Sequence, residues 1–168
     1  MNTLVLLQAG YNPNSTTFGA MLGFGKNKNG FYVGFRSDFG SAGSDLECNE
    51  NGTIGDGSIP PFYKEEVTHQ SRMSVTAGYF RRLNKTIYLY AGAGYGSRTL
   101  SYELDERAED ESGKSLEGIQ VKDTSKSPTG VAFELGGILR FNKFLISAGY
   151  HTVNAKYHEV SAGIGMIF

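Results

Sequence analysis

The triplet Ala-Gly-Tyr occurs four times in this chain, at residues 9–11, 77–79, 93–95 and 148–150. In an extended strand successive side chains point to opposite faces, so Ala and Tyr share one face and Gly lies on the other. Extending this period of two outward from each copy gives one apolar face and one face of small, polar and charged residues. The repeat therefore predicts strands that are apolar on one side.

The same alternation predicts eight strands of about 9–14 residues, at residues 3–11, 16–26, 31–39, 71–81, 86–99, 130–140, 144–152 and 157–168. Their apolar faces hold runs such as Phe31, Val33 and Phe35, while the opposite faces carry charged residues such as Arg36 and Glu134. A tilted strand needs roughly 9–11 residues to cross the hydrocarbon of a bilayer. Each predicted strand is long enough to do so.

The charged face of these strands is the one that needs shielding from lipid. A soluble ligand-binding barrel, such as a lipocalin, places its bulky apolar residues inside and its charges outside. Glycine, polar and charged residues share the second face here, so we expect that face to line the lumen and the apolar face to contact the bilayer.

The connections between the predicted strands alternate in length. Asn29-Gly30 is a strong hairpin signal, and short turns are also predicted near residues 82–85 and 142–143. The long polar stretches 40–70 and 100–129 fall on alternate connections, as in barrels with short turns on one side of the membrane and long loops on the other. The sequence predicts one all-β domain over residues 1–168, a transmembrane eight-stranded antiparallel up-and-down barrel with two long extracellular loops.

Composition excludes several alternatives. The formal net charge is −1, so the chain has no broad basic field for nucleic acid. No run of about 18 apolar residues is present, which excludes a transmembrane helix. No basic segment precedes the short apolar run near the N-terminus, so we expect a mature chain from which the signal peptide is absent.

Residues 160–168 carry the most specific resemblance to a known family. They alternate apolar and small residues and end in Phe168. With the eight strands, they make the chain resemble the small eight-stranded outer-membrane barrels, the group that includes OmpX and the transmembrane domain of OmpA. The resemblance implies a bacterial outer-membrane location, contact with outer-membrane lipid, and recognition of Phe168 by the barrel-assembly machinery.

Seven charged residues are expected in the lumen. Buried charges must be paired, and an eight-stranded barrel is just wide enough for side chains to fill it. We expect a salt-bridge network that plugs the lumen, with a gated ion or proton path as the alternative. Its members are Arg36, Asp38, Arg72, Arg98, Glu134, Arg140 and Glu159.

The region around residues 97–122 predicts a hairpin that continues beyond the membrane. Its alternating apolar residues are Leu100, Tyr102, Leu104, Leu116, Ile119 and Val121. Exposed strand edges invite pairing with another chain, so a protein partner could bind this hairpin. The alternative is an inert or disordered loop, because residues 105–111 are densely charged.

These features favour a non-enzymatic role in surface interaction or adhesion, or as an accessory subunit of a larger outer-membrane complex. A lipid-modifying enzyme is the first alternative, since two such families use eight-stranded barrels; a soluble lipocalin-like carrier is the second. His158, Glu159 and Ser161 come closest to a catalytic triad, but strand alternation puts His158 on the opposite face from the other two. The sequence predicts no cofactor and no metal site.

Overall fold

The computed structural model describes residues 2–13, 15–49, 54, 63–104 and 113–168, without the side chains of residues 63–68. The chain divides into two compact units. The barrel unit comprises Met1–Asp38, Met73–Ser97 and Thr129–Phe168, and the loop unit comprises Phe39–Arg72 and Arg98–Pro128. Among the described residues, no helix is long and apolar enough to cross a membrane.

The described residues form ten β-strands. In chain order they are β1 Asn2–Asn12, β2 Ser15–Lys26, β3 Asn29–Ser37, β4 Leu46–Cys48, β5 Tyr63–Arg82, β6 Ile87–Leu104, β7 Gln120–Asp123, β8 Thr129–Phe141, β9 Phe144–Val153 and β10 Tyr157–Ile167. Eight of them match the predicted barrel strands, whereas β4 and β7 are short strands within the two predicted loops.

Hydrogen bonding closes the eight long strands into a ring. Neighbours along the chain pair in the order β1, β2, β3, β5, β6, β8, β9 and β10, and β10 pairs back to β1. The barrel strands pair in antiparallel register, with Ala9 opposite Ala162 where the ring closes. The predicted eight-stranded up-and-down barrel is confirmed.

The side chains lie on the faces that the alternation predicts. Leu89 is 50% exposed and Phe31 is 71% exposed, whereas Arg36 on the opposite face is 4% exposed. Large apolar side chains therefore cover the outside of the barrel unit while charged groups lie inside. This is the reverse of a water-soluble barrel and fits a lipid environment.

The lumen is not polar throughout. Its short-turn end, where β2–β3, β5–β6 and β8–β9 connect, holds a core of buried apolar and aromatic side chains. They are Leu4, Leu6, Met21, Tyr32, Phe80, Tyr88, Tyr90, Ile138, Leu145 and Ile167. The first strand thus contributes apolar residues to the lumen as well as to the lipid face.

Two of the short turns depend on asparagine in the left-handed backbone region. Asn27 has φ 60° between β2 and β3, and Asn142 has φ 59° between β8 and β9. Asparagine tolerates this conformation better than most residues. In the third turn the side-chain oxygen of Asn84 accepts hydrogen bonds from the backbone N–H groups of Thr86 and Ile87, both at 2.8 Å.

Two strand boundaries differ from the prediction by more than two residues. β5 begins at Tyr63 rather than at residue 71, and β6 continues to Leu104 rather than ending at residue 99. Both predicted loops therefore contain strand. The apolar pattern identified the segments that face lipid, but backbone pairing between neighbouring strands does not require lipid and continues after the pattern changes.

Ala91, an exposed residue on β6, tests the assignment of the outer face. Substitution Ala91→Arg should lower the free energy of unfolding by about 2–4 kcal/mol, because it places a charge in the hydrocarbon. The buried Thr76→Ser, which keeps a hydroxyl in the lumen, should have little effect. Urea unfolding in lipid vesicles measures both, and equal losses would show that the faces are assigned the wrong way round.

Candidate functional site

Arg36 is the centre of a buried ionic cluster in the barrel unit. Its Nη1 lies 3.2 Å from Glu159 Oε1 and its Nη2 lies 3.4 Å from Glu134 Oε2. The same Nη2 also donates to Gln8 Oε1 at 3.1 Å and to Ser161 Oγ at 3.3 Å. One guanidinium thus connects four side chains, from β1, β8 and β10.

Two threonine hydroxyls also donate hydrogen bonds to the carboxylates of the cluster. Thr17 Oγ1 donates to Glu159 Oε2 at 2.8 Å, and Thr76 Oγ1 donates to Glu134 Oε1 at 3.0 Å. Both glutamates are almost fully buried. Since a buried ion pair is tolerated when its remaining lone pairs are satisfied, the hydroxyls are what let two carboxylates share one arginine.

A glycine provides the space for this cluster. Gly10 lies on the lumen face of β1, and a Cβ there would collide with the carboxylate of Glu159 and the hydroxyl of Thr17. The glycine of the first Ala-Gly-Tyr triplet therefore has a packing role. Its lack of a side chain allows Glu159 to reach Arg36.

The structure brings three of the seven predicted lumen charges together, namely Arg36, Glu134 and Glu159. Arg140 lies instead at the short-turn end, where it donates to the Asn142 carbonyl at 2.7 Å and to the Tyr88 hydroxyl at 3.3 Å. Arg140 is therefore at a different level from the Arg36 cluster, because strand alternation defines the face of a residue but not its height in the barrel.

Arg98, Arg72 and Asp38 stay predictions as members of a lumen network. Arg98 belongs to the loop unit, where its Nη1 donates to the Lys126 carbonyl at 3.4 Å. Arg72 is buried and also belongs to the loop unit, while Asp38 is half-buried at the last residue of the first barrel segment. The hydroxyl and amide partners of the cluster were not predicted as its members, since Gln8, Thr17 and Thr76 carry no charge that would mark them.

The nearest approach to a catalytic triad does not assemble. His158 is exposed on the outer face, stacked on Tyr150 with ring centroids 5.9 Å apart and hydrogen-bonded through Nδ1 to the Tyr150 hydroxyl. Glu159 and Ser161 lie inside, on the Arg36 cluster. Nucleophile, base and acid cannot act together across the barrel wall. Within the described residues, no group of three or more His, Cys, Asp and Glu side chains could hold a metal ion.

The loop unit has an apolar core of its own. β7 pairs antiparallel with β6, Tyr102 lying opposite Val121, and parallel with β4, Leu46 lying opposite Val121. The buried side chains are Cys48, Ile54, Leu104, Leu116 and Val121, with Leu46 and Ile119 packed against them. Segments from both long connections therefore fold together.

This core changes the role of the predicted interaction hairpin. Leu104, Leu116 and Val121 are buried inside the loop unit, and Ile119 packs against them, so these four do not form an exposed binding edge. Leu100 and Tyr102 remain half-buried. The prediction did not anticipate that Leu46, Cys48 and Ile54 of the other connection would pack against these residues, since nothing local in the sequence indicates that pairing.

One polar cluster of the loop unit surrounds Lys126. Its Nζ donates to the Tyr102 hydroxyl at 2.8 Å and lies 3.4 Å from Asp123 Oδ2. Burial raises the pKa of the Asp123 carboxyl, but hydrogen bonds from Ser125 and Lys126, together with the Lys126 charge, outweigh burial and lower that pKa below its ordinary value. Asp123 is thus held as a carboxylate at neutral pH.

Phe168 continues the pairing of the last strand. Its backbone N–H donates to the Thr3 carbonyl at 2.8 Å, and the Thr3 N–H donates to the Phe168 carbonyl at 3.0 Å. The ring is 67% exposed on the lipid side. Its recognition by the assembly machinery stays a prediction.

Known structures resemble this one over nearly the whole chain. A crystal structure of Ail, the attachment invasion locus protein of Yersinia pestis, matches with a TM-score of 0.60 at 16% identity, covering 99% of this chain and 97% of that one. The fold is that of the small eight-stranded outer-membrane barrels. No family model matches this sequence, and no curated protein matches it significantly.

Two further structures of Ail support this assignment of the outer-membrane barrel fold. Ail in complex with the heparin analogue sucrose octasulfate matches with a TM-score of 0.57 at 18% identity, covering 99% of this chain and 97% of that one. Ail in a phospholipid bilayer nanodisc matches with a TM-score of 0.51 at 18% identity and 99% coverage of both chains.

The Arg36 cluster leads to a prediction about the stability of the barrel. Arg36→Met should lower the free energy of unfolding by about 3–5 kcal/mol, because it removes the buried cation that the carboxylates of Glu134 and Glu159 share. Adding Glu134→Gln and Glu159→Gln to Arg36→Met should restore most of that loss. Urea titration in lipid vesicles measures the single and triple variants, and a triple variant no more stable than Arg36→Met would contradict the pairing.

The filled lumen leads to a prediction about conductance. Planar bilayers containing the purified protein should show no large, steady current. The Arg36 cluster and the aromatic residues at the short-turn end occupy the interior of the eight-stranded barrel. Glu134→Ala, which removes one side chain of the cluster, should raise the frequency of brief openings above that of the parent. A stable porin-like current through the unmodified protein would refute a packed lumen.

Proposed function

We propose that this protein is a non-enzymatic barrel of the bacterial outer membrane that attaches the cell surface to a partner through its loop unit. The observation that carries the proposal is the separate apolar core around Leu104 and Val121. A core holds a loop surface in one shape, which reduces the entropy that binding must overcome. An inert connection between strands does not require one.

The barrel unit supports this proposal by leaving few other surfaces for function. Its lumen is filled by the Arg36 cluster and the apolar core, and its outer face is the apolar belt that contacts lipid. Both long connections follow strands that run in the same direction, and we infer that this direction leads out of the cell. In this orientation the short turns face the periplasm.

The charge of the loop unit defines the chemistry of the proposed partner. Residues 39–72 and 98–128 contain 14 acidic and 7 basic residues, a formal net charge of −7 with histidine neutral. The Ail crystal structure with sucrose octasulfate contains a polyanion. A surface with this negative charge would repel such a ligand at moderate salt, so the proposed partner is a basic protein surface and not a sulfated glycan.

Replacing the loop unit tests the proposal. Cells that display the full chain should bind beads coated with a basic protein such as histone, and beads coated with heparin should bind less well. Exchanging residues 39–72 and 98–128 for short turns should abolish binding while leaving the heat-modifiable gel mobility of a folded barrel, since closing loops costs little.

A single substitution separates the shape of the loop unit from its charge. Val121→Asn buries an amide in the apolar core and should reduce bead binding with no change in net charge. The matched control Ser115→Asn, at an exposed position of the same unit, should bind like the parent. Retained binding after the loop exchange, or equal binding by both asparagine variants, would refute attachment through a folded loop unit.

A further inference from the structure

The basic residues of the barrel unit are concentrated at its short-turn end. Segments 24–31, 79–88 and 139–145 contain seven of the 16 lysines and arginines of the chain and none of its 17 acidic residues. The seven are Lys26, Lys28, Arg81, Arg82, Lys85, Arg140 and Lys143. This cationic rim contrasts with the acidic composition of the loop unit.

Backbone hydrogen bonds connect the turns that carry the rim. The Arg82 N–H donates to the Lys28 carbonyl at 2.6 Å, and the Arg140 N–H donates to the Thr86 carbonyl at 2.7 Å. Within the described part of the chain, no ion pair joins any of the seven basic side chains to a carboxylate. Their charge is therefore not neutralised by the protein.

On the outer face, part of the rim lies directly beside a row of aromatic rings. Phe24, Phe31 and Tyr79 are register partners across β2, β3 and β5, and all three are exposed. The next outward-facing row on the same strands, toward the turns, is Lys26, Asn29 and Arg81. The aromatic row and the polar, cationic row are thus adjacent on the outer face, two residues apart along each strand.

A groove of about 350 Å³ lies where these two rows meet. Its lining includes Phe24 and Phe31 on one side and Lys26 and Asn29 on the other. Aromatic rings at the edge of an apolar belt sit at the level of lipid headgroups, and basic residues beside them attract anionic lipids. The groove therefore combines a surface for the upper part of an acyl chain with donors for a phosphate.

We propose that this groove binds the headgroup of an anionic phospholipid from the leaflet on the short-turn side. Lys26 and Arg81 pair with the phosphate, the Asn29 amide donates to its ester oxygens, and Phe24 and Phe31 contact the first methylenes. The remaining basic residues of the rim raise the local concentration of anionic lipid. The inference rests on the membrane location of the barrel and is independent of attachment through the loop unit.

Native mass spectrometry of the full chain can test this binding. The protein is inserted into vesicles of equal parts phosphatidylglycerol and phosphatidylcholine, and the ratio of the two lipids retained after release is measured. Lys26→Gln with Arg81→Gln should lower the preference for phosphatidylglycerol by about fivefold for each charge at low salt. The control, Lys114→Gln with Lys156→Gln, makes the same change in net charge at exposed residues outside the rim and should keep the preference of the parent.

Three results would overturn the proposal. The first is the same loss of preference in the rim and control variants, and the second is no preference in the parent protein. The third is displacement of phosphatidylglycerol by soluble glycerol phosphate, which would assign the groove to a free phosphate. If the double variant does not show the heat-modifiable mobility of a folded barrel, Lys26→Gln alone provides the comparison, with an expected loss of about fivefold.

These results can be distinguished from a failure of the proposed function. A parent protein that does not enter the vesicles would refute the membrane location on which both proposals depend. A protein that inserts without preferring phosphatidylglycerol would refute lipid binding by the groove but would not contradict attachment through the loop unit. Bead binding by displayed cells would in turn be unaffected by the Lys26→Gln and Arg81→Gln substitutions.

Discussion

Closing the hydrogen-bonded ring is the constraint on which the rest of this structure depends. In hydrocarbon no water is present to pair with exposed backbone groups, so a sheet that crosses a bilayer must leave no free edge. The pairing of β10 with β1 meets this requirement. Closure with eight strands also makes the interior narrow, and the side chains on the inner face must then fill it.

The lumen meets this requirement in two layers of different chemistry. At the short-turn end, apolar and aromatic side chains such as Tyr32 and Tyr90 pack with ring centroids 5.6 Å apart. Toward the long connections, Arg36 binds Glu134 and Glu159, and threonine hydroxyls bind the remaining carboxylate oxygens. Both layers exclude a wide aqueous path through the lumen. The charged groups of the second layer are stable there because each is paired with a group of opposite charge.

The two ends of the barrel strands lead into segments of opposite charge. The short turns and the strand ends beside them carry seven basic residues and no acidic ones, whereas residues 39–72 and 98–128 have a formal net charge of −7. The overall net charge of −1 conceals this separation. A membrane protein meets a different environment on each side of the bilayer. We propose that the basic residues bind lipid headgroups and that the acidic residues bind a basic partner.

The sequence by itself determined the strands, their lipid and lumen faces, and the short turns, because each depends on residues that are neighbours along the chain. The strands and their faces follow from an alternation with a period of two, and the turns follow from asparagines between the strands. Only the tertiary structure decided that Arg36 meets Glu134 and Glu159 while Arg140 does not, since strand tilt and register determine which lumen residues share a level. It also decided that Leu104 and Val121 form a core with Cys48 and Ile54. These contacts join residues 50 or more positions apart, and no local pattern encodes such pairings.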